Sequence, residues 1–111
     1  MTRLTTTVRI GQRYVRLSLA GEIDLSSVDV LLRGQGEALA GAATRRLHGV
    51  VVDLDRVTFL DSTGIGVLVG GFREASAAGL TYRLENPHGA VARVLDVSGV
   101  LPTLAPPRRA A

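Results

Sequence analysis

In Val50-Val51-Val52-Asp53-Leu54-Asp55-Arg56-Val57-Thr58-Phe59-Leu60-Asp61-Ser62-Thr63-Gly64-Ile65-Gly66-Val67-Leu68-Val69 the apolar period changes part-way, and with it the class of secondary structure. The stretch starts with a continuous β-branched run, the mark of a strand buried on both faces. Beyond Asp61 the apolar residues Ile65, Val67, Leu68, Val69 and Phe72 continue to Ala77-Ala78-Gly79. That length favours a buried helix over a second strand. A buried strand followed by a helix is the repeating half of an α/β domain.

Upstream of that stretch, Thr5 to Ile10 and Tyr14 to Ala20 alternate as strands do, with Val15, Leu17 and Leu19 on one face. Gly11-Gln12 between them reads as a two-residue hairpin turn. After the turn Gly21-Glu22-Ile23-Asp24, Ser26 is placed to cap a helix and Asp29 to favour its positive first turn. Val28, Leu31, Leu32 and Leu39 give that helix an apolar stripe, which Gly34 and Gly36 weaken. Gly41 to His48 reads as a surface connection. Leu80 to Leu84 is a further strand. Asn86-Pro87 then reads as an N-cap with proline at the first helical position, opening a short helix through Val91, Val94 and Leu95 to Gly99. The order β-β-α-β-α-β-α implies a mixed sheet with helices packed on it. Residues 1–101 form that single domain; from Pro102 to Ala111 the prolines Pro102, Pro106 and Pro107 predict a frayed tail that is not regular helix.

Composition narrows the chemistry. At 111 residues, with 46% hydrophobic and 21% charged residues, the chain is one globular domain. With no cysteine it has no disulfides, thiolate metal sites or thiol catalysis, and His48 and His88 alone make a poor metal site. No apolar run approaches the roughly 18 residues of a membrane span, and no signal-peptide core follows Met1-Thr2-Arg3. A cytoplasmic location, with no metal, cofactor or membrane partner, is the expectation. All 13 basic residues are arginine, and they give a net charge of +3. They are scattered from Arg3 to Arg109, with few aromatics among them, which reads as solvated surface and not as a nucleic-acid footprint.

Several short motifs invite enzymatic readings and fail on chemistry. Asp53-Leu54-Asp55-Arg56-Val57 after an apolar strand resembles the nucleophile motif of haloacid-dehalogenase-type phosphatases. That chemistry commonly uses a lysine and further carboxylates for magnesium, and this chain has no lysine and no later acidic pair. Asp61-Ser62-Thr63-Gly64 carries one residue too many for an aspartic protease. Leu60 stands where a serine hydrolase elbow needs glycine. Gly64-Ile65-Gly66 lacks the Gly-Lys-Ser/Thr of a phosphate loop. No catalytic residue is expected, and Asp53 and Asp55 read as the solvent-facing end of a buried strand.

What remains is a serine at the junction of loop and helix. Ser62 is reachable by another enzyme's active site, and a phosphate there faces unpaired N–H groups and the positive end of the helix dipole. Its plainer role is that of an N-cap.

Three blocks, Gly21-Glu22-Ile23-Asp24, Val50-Val51-Val52-Asp53-Leu54 and Val57 to Leu68, resemble the STAS-domain anti-sigma factor antagonists. The resemblance runs from about Leu4 to Leu101. It implies an α/β STAS fold and a protein that binds an anti-sigma factor when unphosphorylated, so regulating transcription by partner switching. That partner is usually a serine kinase with a histidine-kinase-like ATPase fold. The resemblance places phosphorylation at Ser62, with Thr63 as the rival, and implies a cognate phosphatase. Asp24, Asp61, Ser62, Thr63, Gly64 and Ile65 fall on the motifs that form the family's contact surface. A STAS scaffold that never switches, in a stress-signalling or lipid-transport assembly, stays open as an alternative, as does a small phosphatase using Asp53 and Asp55.

Overall fold

The computed structural model describes residues 3–106. Four strands form one mixed sheet in chain order: β1 (Thr5–Ile10), β2 (Tyr14–Ile23), β3 (Gly49–Leu60) and β4 (Thr81–Glu85). β1 and β2 make an antiparallel hairpin, whereas β3 and β4 each run parallel to the strand before them. The crossovers are α1 (Val28–Thr44) and α2 (Ser62–Ala77), and α3 (Gly89–Val97) and α4 (Leu101–Leu104) follow β4. Val15, Leu17, Leu19 and Ile23 of β2, with Val50, Val52 and Leu54 of β3, point into one core with Leu31, Leu68, Leu95 and Leu104 of the helices. The expected single α/β domain with a mixed sheet is the observed one.

The differences lie at element ends. β2 runs on to Ile23 and β3 to Leu60, well past the expected Ala20 and Val52. Three residues, Gly11–Arg13, join β1 to β2, and the Gly11 N–H donates to the Tyr14 carbonyl at 2.9 Å. The cap of α1 is Ser27 and not Ser26, and the helix continues through Gly41 to Thr44. His88 and not Asn86 caps α3; Asn86 instead takes a left-handed turn at φ 59°. The chain beyond Leu101 forms the helical turn α4, contrary to the expected fraying. Pro102 lies in its first turn, where no N–H is needed, and Leu104 is buried. The rest of the expected tail, Pro107 to Ala111, lies outside the described residues. Among the described residues no helix is long and apolar enough to cross a membrane.

A polar pair is buried in the core. The Gln35 amide of α1 donates to the Val67 carbonyl of α2 at 3.1 Å, and its oxygen accepts from the Tyr82 hydroxyl of β4. Burial pushes the Tyr82 phenol far up, so it remains a neutral donor. The contact ties both crossover helices to the sheet. Tyr82→Phe leaves the Gln35 oxygen buried without its donor, which is expected to cost about 1–3 kcal/mol. Denaturant unfolding measures this directly, and an unchanged midpoint would show that the clamp contributes nothing.

Candidate functional site

The parallel strands β2 and β3 end side by side, and the loops that leave them meet above the sheet. This is the edge at which open α/β sheets present their binding groups. The Asp61 N–H donates to the Ile23 carbonyl at 3.2 Å and locks the two strand ends together. Asp61 is then the N-cap of α2: its backbone is extended, and its side chain accepts from the Gly64 N–H at 3.0 Å. The cap role expected of Ser62 thus belongs to Asp61. Ser62 is the first helical residue, exposed, and its hydroxyl has no hydrogen-bond partner among the described residues.

The other predicted site residues divide by burial. Thr63 is half-buried, whereas Gly64 and Ile65 are buried and support the helix start from beneath. Asp24 stands on the neighbouring loop, where one carboxylate oxygen accepts from the Ser26 hydroxyl at 2.7 Å and the Ser26 N–H at 3.0 Å. The Ser26 hydroxyl above all holds the Asp24 carboxyl below its ordinary range. Ser27 completes the loop by donating to the Glu22 carbonyl at 2.8 Å and accepting from the Asp24 N–H at 3.0 Å. Leu25, at the tip, is 76% exposed, and Phe59 beside the end of β3 is 46% exposed. Sequence reading missed both. Phe59 was hidden by the unrecognised length of β3, since an alternating strand would have turned it away from its buried neighbour Leu60.

The sequence matches the STAS domain family over residues 5–109. The chain belongs to that family. It is 31% identical over 93 residues to the anti-sigma-B factor antagonist of Bacillus subtilis, a match spanning 84% of this chain and 81% of that one. The crystal structure of an anti-sigma factor antagonist from Mycobacterium paratuberculosis superposes with a TM-score of 0.75, at 24% identity, covering 91% of this chain and 82% of that one. The Bacillus cell fate determinant SpoIIAA in its phosphorylated form superposes with a TM-score of 0.61, at 27% identity, covering 88% and 86%.

In this STAS domain Asp53 has a structural task. It lies in the middle of β3, not at a strand end, on the sheet face opposite the core. One oxygen takes the Arg16 guanidinium at 3.3 Å, and the other accepts from the Asn86 amide and the Asp55 N–H, each at 3.0 Å. Arg16 also pairs with Glu85 at 3.1 Å, so β2, β3 and β4 are laced together across the open face. Both oxygens are thus committed to the fold, which counts against a phosphatase nucleophile. Burial alone would raise the Asp53 carboxyl, but Asn86, the Asp55 N–H and Arg16 outweigh it and hold it low. A carboxyl lowered by folding stabilises the domain fully at neutral pH, and that contribution is lost as pH falls through its folded value. Asp53→Asn is expected to lower stability at pH 7 and to flatten the acid limb below about pH 4. Unfolding curves across pH check this, and an acid limb identical to wild type would contradict it.

Proposed function

We propose that this STAS domain is an anti-sigma factor antagonist whose Ser62 is the switch. Unphosphorylated, the Asp24–Ser27 loop and the first turn of α2 bind an anti-sigma factor that is a serine kinase of histidine-kinase-like ATPase fold. Phosphorylation of Ser62 releases it, and a cognate phosphatase resets the site. The cytoplasm is the compartment this role requires. The observation that carries the reading is the free, exposed hydroxyl of Ser62 at a helix start already capped by Asp61. A phosphate there adds roughly −1.5 to −2 charge without displacing the capping bond. A partner packed on the same turn has to desolvate that charge or oppose it.

Wild-type and Ser62→Glu baits, used side by side on lysate of the native host, test the reading. Recovery of a histidine-kinase-like ATPase by wild type, and its loss with Ser62→Glu, is the expected result. Equal recovery of a large multi-STAS or transport assembly by both baits would make the domain a constitutive scaffold. Magnesium-dependent phosphatase turnover that disappears in Asp53→Asn would instead restore the enzymatic reading.

A further inference from the structure

The charges of this domain are segregated along the strand direction. At the end opposite Ser62, the β1–β2 hairpin carries Arg9 and Arg13, and the last turn of α1 leads into Arg45 and Arg46. The two segments are joined there, because the His48 N–H donates to the Arg13 carbonyl at 2.7 Å and the His48 ring meets Tyr14 edge-on at 5.7 Å. All four arginines are exposed, and none has an ion-pair partner among the described residues. Glu74 lies near the close of α2. Arg46 holds its place at φ 56°, a position after a helix where glycine is the usual occupant. Ile10 and Tyr14, 46% and 41% exposed, add apolar surface between the cations.

The Ser62 end is the inverse. Glu22, Asp24, Asp55 and Asp61 gather there against Arg3 and Arg56, and none of the four carboxylates is ion-paired among the described residues. The exposed apolar groups at that end are Leu25 and Phe59.

We infer that the basic end of one copy docks on the acidic Ser62 end of a second copy, in a head-to-tail contact. The two surfaces match in charge and in apolar content, and they lie at opposite ends of the same strands. Such a contact is heterologous and can propagate from copy to copy. It also covers the exposed face of the first turn of α2, so self-association competes with any partner or kinase that uses that turn. The inference rests on the two ends of the domain and stands whether or not Ser62 is phosphorylated.

The test is sedimentation velocity on the full chain at low and high salt, with circular dichroism confirming that each variant folds. Wild type is expected to show a mass that rises with concentration at low ionic strength, with at least tenfold weaker association at 0.5 M salt, where the Debye length is only about 4 Å. Arg13→Glu with Arg45→Glu removes the basic end, and Glu22→Arg with Asp55→Arg removes the acidic end. Each double variant alone is expected to be monomeric. A mixture of the two is expected to form a one-to-one pair, through the acidic end that the first retains and the basic end that the second retains, and either variant mixed with wild type is expected to cap growing chains and limit them to short oligomers. Wild type that stays monomeric at every concentration overturns the inference. So does a double variant that self-associates as wild type does. Pelleting of a strictly monomeric wild type with phosphatidylglycerol vesicles would overturn it too, and would assign the basic end to a lipid surface.

Discussion

Gly64→Val is expected to destabilise the domain by about 3 kcal/mol and to weaken partner binding even under conditions where the variant remains folded. A Cβ at Gly64 would lie 2.5 Å from Ile23 Cγ2 and 2.6 Å from Leu60 Cδ1. Both contacts belong to buried residues at the ends of β2 and β3, so relief requires those side chains to repack or α2 to lift away from the sheet. Lifting α2 moves the Asp61 cap and Ser62 with it. Gly66, two residues on in the same motif, is the control: a Cβ there meets nothing within 4 Å. Gly66→Ala is therefore expected to stabilise the exposed helix by up to about 1 kcal/mol. Denaturant unfolding of the two variants separates them. Equal effects would mean that the glycines serve only the helix backbone and not the packing beneath Ser62.

Gly21→Ala is expected to cost a similar amount for a different reason. Gly21 holds φ at 114°, a conformation that costs a residue with a side chain about 1–3 kcal/mol. A Cβ there would also meet the Arg3 carbonyl oxygen at 2.3 Å, and that neighbour is backbone with little freedom to yield. The chain entering β1 crosses directly over Gly21, at the irregularity where β2 shifts register against β3. A domain of this size loses roughly 4–8 °C of melting temperature per kcal/mol, so a drop of about 10 °C or more is expected. A change within the error of the wild-type value would contradict the close approach.

These two glycines show why the motifs were legible in the sequence. Gly21 of Gly21-Glu22-Ile23-Asp24 and Gly64 of Asp61-Ser62-Thr63-Gly64 are positions where backbone and core admit no side chain. The alternation of Tyr14 to Ala20 and the β-branched run at Val50 likewise gave β2 and β3, because burial on one or both faces writes itself into hydropathy. The continuation of β3 was not legible. Asp53, Asp55, Arg56 and Thr58 interrupt the apolar pattern, and a charge such as Asp53 fits mid-strand only because Arg16 and Asn86, distant in sequence, meet it there. The reach of α1 past Gly41 was missed for a related reason. Gly41 packs where a Cβ would lie 3.3 Å from Ile10 Cδ1, a tertiary contact invisible to local propensity. The assignment of the cap to Ser62 failed because Asp61 and Ser62 are both good caps, and only the bond to the Gly64 N–H distinguishes them. Pro102 marked a tail because proline breaks helices, yet in a first turn it is tolerated.

The most direct measurement follows one purified sample against the histidine-kinase-like ATPase expected from the wild-type bait, before and after that protein is supplied with ATP, with mass spectrometry locating the phosphate. With Ser62 as the switch, a single phosphate on Ser62 is expected, with an affinity that falls about 100-fold, equivalent to roughly 2.7 kcal/mol. A phosphate on Thr63, or an affinity unchanged once Ser62 is phosphorylated, would contradict it.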